Sequence, residues 1–247
     1  MTNKPNRKQL RENIKDIRAQ IAQYTSGAGT IRRLNNVNWV RNRTTSVEPK
    51  ILFQSSDSTR VDYTYMHNID DVYDYINQFQ DRPTKHQLNI DDIKHMHRLF
   101  TQHTHMEWVA GTYRRDDKIV NIIVNGFRMH APRPDLVEYT MNEILRTANT
   151  SKSNILDRAF DIHYEIVALQ PFEDCNKRVA RAAMNLFLVL NKMPMIFFDK
   201  GEDKSGYIDA ISARANGRPK EYTEYMLHVT ERSYRSILRE IKHSKIL

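Results

Sequence analysis

Gln170-Pro171-Phe172-Glu173-Asp174-Cys175-Asn176-Lys177-Arg178-Val179-Ala180-Arg181 is a polar, proline-containing stretch that opens into an apolar-periodic one. Val179, Ala182, Ala183, Leu186, Phe187 and Leu190 follow with the spacing of a buried helix face. A loop that feeds a helix N-terminus is a natural anion site, because free main-chain N–H groups and the helix dipole point at the incoming charge. Arg178 and Arg181, three apart, fall on one face of the first turns and can reach the same anion. Asp174 is placed to hold a divalent cation: one carboxylate plus phosphate oxygens is how Mg²⁺ is usually bound.

These twelve positions resemble the core motif of the Fic (filamentation induced by cAMP) family, His-Pro-Phe-x-[Asp/Glu]-Gly-Asn-[Gly/Lys]-Arg-x-x-Arg. Two positions depart from it: Gln170 stands where the family has its histidine, and Cys175 where it has a small residue. The resemblance implies a mainly α fold, a Fic-type helical bundle with one β-hairpin flap. It also implies transfer of AMP from ATP to a Ser, Thr or Tyr hydroxyl of a target protein, with ATP and Mg²⁺ required. Carried over residue by residue, Asp174 binds Mg²⁺, and Asn176 with the loop around Cys175 and Lys177 forms the anion hole. Arg178 then grips the α- and β-phosphates and Arg181 the γ-phosphate, while Phe172 anchors the loop. Gln170 breaks the scheme at its chemical step. A carboxamide has no useful basicity at pH 7, whereas an imidazole titrates near it.

Working outward, Ile155 to Leu169 (Ala159, Ile162, Ile166, Leu169) and Asp135 to Thr147 (Leu136, Met141, Ile144, Leu145) read as core helices. His163 lies seven residues, about 10.5 Å of helix rise, before Gln170, too far to replace a loop histidine. Between the β-prone runs around Ile119–Val124 and Phe127–His130, Asn125-Gly126 is a strong hairpin cue, because both residues tolerate positive φ. In Fic folds this place is taken by the flap, so Ile122, Ile123 and Val124 are the expected target-docking edge. Ala110-Gly111-Thr112-Tyr113-Arg114 resembles the segment that precedes it.

Further out, Ile69–Phe79 and Asp91–Thr101 are amphipathic helices, the second bearing Ile93, Met96, Leu99 and Phe100 on its apolar side. His95, His97, His103 and His105 near its end raise a metal reading, but His-x-His splits the rings between helix faces and no cysteine lies nearby. Lys8–Tyr24 carries a helical stripe of Leu10, Ile14, Ile17 and Ile21, and Thr25–Thr30 reads as a linker. Thr44 and Glu48 fit the [Ser/Thr]-x-x-x-Glu pattern of the Fic inhibitory helix, whose glutamate pairs with the second motif arginine, and Pro49 stops a helix there. Past the motif helix, Tyr207 sits in a segment similar to the one bordering the adenine pocket, and Tyr222–Ile241 is a last helix. Residues 1–60 are therefore expected to form an N-terminal helical region with the inhibitory-like helix, and 61–247 the Fic-like catalytic domain.

Composition agrees with a helical protein of substantial core: 247 residues, 40% hydrophobic, with only 7 Gly and 8 Pro. The single cysteine offers no intrachain disulfide, and neither a membrane-length apolar run nor a signal-peptide core is present, so a cytoplasmic location is the default expectation. A net charge of +8 raises nucleic acid as a partner, but the basic residues are spread along the chain rather than massed. Three functions are weighed. The first is an adenylyltransferase scaffold impaired at Gln170 and restrained by Glu48; the second, a non-catalytic nucleotide- or protein-binding regulator on the same fold; the third, a basic nucleic-acid binder. Lys177 adds a Doc-like protein kinase alternative, against which Arg181 favours the AMP-transfer orientation of ATP. The target and the oligomeric state are left open.

Overall fold

A computed structural model describes residues 5–24, 58–80, 86–198 and 204–243. In chain order the helices and strands are α1 (Arg7–Tyr24), α2 (Ser58–Asn77), α3 (Ile90–Thr101), β1 (Ile119–Val124), β2 (Phe127–His130), α4 (Val137–Thr150), α5 (Ile155–Leu169), α6 (Asn176–Leu190), α7 (Lys204–Ala215) and α8 (Pro219–His243). The protein is mainly α-helical, as expected. Thr44 and Glu48 lie outside the described residues.

Contacts group the chain into two compact units, a grouping that does not follow the sequence boundary near residue 60. The first unit holds α2 to α6 with the hairpin. Its centre is the α5–α6 pair, against which α2, α3 and α4 pack. Ile93 and Met96 of α3, Met141 of α4, Ile166 of α5 and Val179, Met184 and Leu186 of α6 are fully buried there. The second unit joins α1 to α7 and α8. The Leu10, Ile14, Ile17 and Ile21 stripe of α1 is buried, and Asn13 donates to Glu231 of α8 at 2.9 Å.

Three helices begin two or more residues away from the sequence reading: α8, at Pro219 and not Tyr222, and α2 and α4. α2 starts at Ser58, within what reads as a polar stretch, because few residues there mark an apolar face. α4 starts at Val137, after a 3₁₀ turn over Pro134–Leu136 whose proline suits the first turn but lacks an N–H. α3 is fixed at its start by a capping box: Asp92 N–H donates to Asn89 Oδ1 (3.1 Å) and Asn89 N–H to Asp92 Oδ2 (3.0 Å).

The hairpin turns at Asn125 and Gly126, both at positive φ (50° and 84°), the conformation whose twist matches paired strands. Val124 faces Phe127 and Ile123 faces Arg128, but Val120 faces Met129, so Asn121 and Ile122 are extra residues on β1. That irregularity bends the strand and sends Ile122 inward, where it is 1% exposed, while Ile123 stays 44% exposed.

Candidate active site

α5 ends where the chain turns left-handed at Gln170 (φ 48°, ψ 59°). Pro171 has no N–H to continue the helix. The side chain of Gln170 closes the terminus: Nε2 donates to the Val167 carbonyl at 2.7 Å, satisfying an orphan acceptor of the last turn. Its Oε1 accepts from Asn176 Nδ2 at 3.2 Å, so both ends of the carboxamide are engaged and the residue is buried.

Asn176 opens α6 and stitches the loop across its base. Its Oδ1 accepts from Phe172 N–H (2.9 Å) and its Nδ2 donates to the Phe172 carbonyl (2.8 Å). With the carboxamide committed to the loop, what Asn176 can offer an anion is its main-chain N–H in the first helical turn. Cys175, at the N-cap, is also left-handed (φ 62°), which explains the suitability of a small, glycine-like residue at this position. Burial pushes its thiol up to about 11, so it stays protonated at neutral pH and is no nucleophile.

Phe172 is the plug under the loop, fully buried and stacked on His97 at 3.9 Å between ring centroids, with Tyr113 at 5.5 Å. His97 Nδ1 accepts from Gly111 N–H at 2.9 Å, which fixes the neutral tautomer with its proton on Nε2. That nitrogen turns toward the main chain of Asp174 without closing a hydrogen bond. Gly111 sits at φ +72°, and a Cβ there would meet the Arg98 side chain at 2.8 Å, so the approach of this backbone requires glycine.

Burial lowers the His97 pKa to about 4, against the weaker upward pull of Asp174. The unfolded chain binds this proton near pH 6.5 and the folded one does not, so the associated stability is complete above pH 6.5 and lost as pH falls toward 4. The expected loss is about 3 kcal/mol. Urea unfolding of wild type and His97→Gln at pH 7 and pH 4.5 checks it: wild type should lose more stability than the variant over this interval.

The main-chain carbonyls of the loop are held from outside the motif. Arg114, itself 3% exposed, donates from Nη2 to Leu169 O (3.4 Å), from Nε to Gln170 O (2.7 Å) and from its main-chain N–H to Pro171 O (2.9 Å). Lys118 Nζ donates to Phe172 O (3.1 Å) and to Glu173 O. A trans peptide points its N–H opposite its C=O, so the N–H groups of Glu173 and Asp174 face away from Lys118. The first-turn N–H groups of α6 precede the first intrahelical bond, Val179 N–H to Cys175 O at 2.9 Å.

Arg178 and Asp174 complete the loop's charged equipment. Arg178 Nη2 lies 3.6 Å from Asp174 Oδ2, and the two side chains are 21% and 53% exposed. At that separation the pair is loose, worth under about 1 kcal/mol, and leaves the carboxylate accessible. The Arg178 guanidinium also lies 5.9 Å from the Phe100 ring centre. Lys177 and Arg181 are half-buried on the same N-terminal part of α6. Tyr207 belongs to α7 in the second unit, where its ring meets Phe198 edge-on at 5.9 Å.

Among the expected histidines, His95 meets the Tyr75 ring edge-on at 4.5 Å, His97 is buried and His103 is exposed. Among the described residues no three metal-ligating groups converge, and no helix is long and apolar enough to cross a membrane. Sequence reading missed the roles of Arg114, Lys118 and His97. Arg114 closes the Ala110–Arg114 segment already noted, but Lys118 ends a charged run, Arg114-Arg115-Asp116-Asp117-Lys118, that carries no signal of its target.

A helical unit centred on a loop-to-helix junction, with a hairpin beside the loop, is the arrangement of a Fic-type fold. Residues 87–188 match the model of the Fic/DOC family. The chain is 26% identical over 168 residues to "Protein adenylyltransferase Fic" of Nematostella vectensis, covering 67% of this chain and 37% of that protein. It is likewise 26% identical over 160 residues to "Protein adenylyltransferase fic-1" of Caenorhabditis briggsae, covering 64% and 30%. The chain thus spans roughly a third of the length of these curated relatives.

Among solved structures, it superposes on a Fic domain containing signaling protein from Bacteroides thetaiotaomicron with a TM-score of 0.74 at 20% identity, covering 93% of this chain and 97% of that one. Fic-1 (residues 134–508) from C. elegans gives a TM-score of 0.71 at 18% identity, covering 93% and 71%. These likenesses establish the fold.

Proposed function

We propose that this chain is a Fic-type adenylyltransferase scaffold that binds ATP at the 170–181 segment and has lost its general base. The observation that carries the reading is the orientation of the loop peptides. Carbonyls 169–173 are drawn to Arg114 and Lys118, which turns the N–H groups of Glu173 and Asp174 to the opposite side. In this reading the phosphates sit against those N–H groups and the main chain of Cys175, Asn176 and Lys177. Arg178 grips the α- and β-phosphates, and Arg181 the γ-phosphate.

The exposed Asp174 carboxylate fits Mg²⁺, which would supply charge neutralisation on the phosphates when bound. The edge of β1 at Ile123 and Val124 would register a protein segment bearing the acceptor Ser, Thr or Tyr by main-chain pairing, whereas the side chain of Ile122, expected on the same edge, is buried and anchors the strand instead. Relatives named as adenylyltransferases support AMP transfer as the chemistry.

Gln170 removes the base, and its engaged carboxamide also supports a second reading, a nucleotide-binding regulator that does not transfer AMP. Glu48, beyond the described residues, would hold Arg181 in the resting state, and Thr44 belongs to the same motif.

The reading is tested by titrating the full chain with ATP and Mg²⁺ by calorimetry. Wild type should bind, and Arg178→Ala should bind about 10–100-fold more weakly, the loss of one charge-assisted phosphate contact. Absence of binding by wild type up to millimolar ATP would end the proposal.

A further inference from the structure

Lys118 stands directly before β1, and its carbonyl accepts from Ala131 N–H at 2.8 Å, closing the open end of the hairpin. Its side chain leaves the hairpin altogether. The half-buried ammonium spans to the motif loop and donates to two successive carbonyls, those of Phe172 and Glu173. Burial pulls its pKa down, with Glu173 and Asp174 opposing that shift. Arg114 binds the adjoining part of the same path: besides residues 169–171 it donates to Asp116 O at 2.7 Å and to Pro132 O, just past β2. The base of the hairpin and the cradle are therefore one hydrogen-bonded assembly with Lys118 at the joint.

We infer that Lys118 is a positioning residue for phosphate binding: by fixing the 172–173 and 173–174 peptide planes, it aims the N–H groups of Glu173 and Asp174 at the anion. It does not touch the ligand in this role. The Asn176 stitch holds the Phe172 carbonyl, whereas the plane of the 173–174 peptide is fixed through the bond from Lys118 to the Glu173 carbonyl. A rotation of that plane replaces a donor by an acceptor at the cradle, which repels phosphate rather than merely failing to bind it. This role rests on the nucleotide-binding reading above and adds to it a residue outside the motif.

The test compares the full chain with Lys118→Met and Lys118→Arg in ATP·Mg²⁺ titrations at about 0.05 and about 0.5 M salt, alongside thermal unfolding. Lys118→Met should bind ATP about tenfold or more weakly at both salt concentrations, and Lys118→Arg should recover most of the affinity. If the deficit vanishes at high salt, Lys118 acts as a distant screened charge and positioning is overturned; equal affinity of Met variant and parent overturns it too. If Lys118→Met does not fold, Lys118→Gln takes its place, with the same expected deficit.

Amide hydrogen exchange at Glu173 and Asp174 without nucleotide separates this proposal from the one beneath it. Faster exchange in the variant is expected even if the parent chain proves unable to bind ATP, and unchanged exchange overturns the role of Lys118.

Discussion

Gln170→His should raise AMP transfer by about 10²–10⁴-fold over the parent chain, the usual contribution of a positioned general base. The backbone at position 170 is left-handed, a conformation histidine adopts more readily than most side chains, so the exchange does not strain the end of α5. The loop should keep its form as well. Asn176 retains both bonds to the Phe172 main chain when Gln170 Oε1 is gone, and Arg114 still holds the Gln170 carbonyl at 2.7 Å. Label transfer from ATP, measured with and without an added Glu48→Gly change, reads the effect. Transfer only in the histidine form identifies the native chain as a binding scaffold. Equal transfer in both shows that the missing imidazole does not limit the reaction, and the impaired-enzyme reading falls.

Phe172→Ala should cost about 3–5 kcal/mol of stability, the range for emptying an aromatic site in a packed core. Phe172 is fully buried, stacks on His97 and contacts Tyr113, and its main chain carries the Asn176 stitch and one of the Lys118 bonds. The loss should appear as a lower urea midpoint with an unchanged slope. Phe172→Leu, which keeps most of the volume, should lose less than half as much. A variant as stable as wild type would show that the loop is not anchored through this ring.

Much of the fold was legible because buried faces repeat. Ile93, Met96 and Phe100 of α3 and Ala159, Ile162, Ile166 and Leu169 of α5 are buried as their spacing demands. The hairpin was legible from Asn125-Gly126, since few residue pairs tolerate two positive φ values. The joining of α1 to α8 was not, because a stripe on one helix says nothing about which distant stripe it will meet.

At the site, Arg178 and Asp174 were readable from charge type, whereas Lys118 and Arg114 act on main-chain carbonyls. Every residue has a carbonyl, so such a partnership leaves no mark in the partner's letters. Asn176 shows the converse: its side chain suggests a ligand contact, yet its carboxamide is consumed by the backbone four residues earlier, at Phe172.

Because part of the loop's scaffolding, Arg114 and Lys118, comes from outside the twelve-residue signature, inheritance of shape and inheritance of chemistry are separable in this molecule. A lineage could forfeit its proton acceptor at position 170 in one nucleotide change's worth of drift while the pocket's architecture persisted, supported by neighbours under selection only for folding. Exchange of the residue at position 170 therefore need not disturb the course of the loop that Arg114 and Lys118 hold.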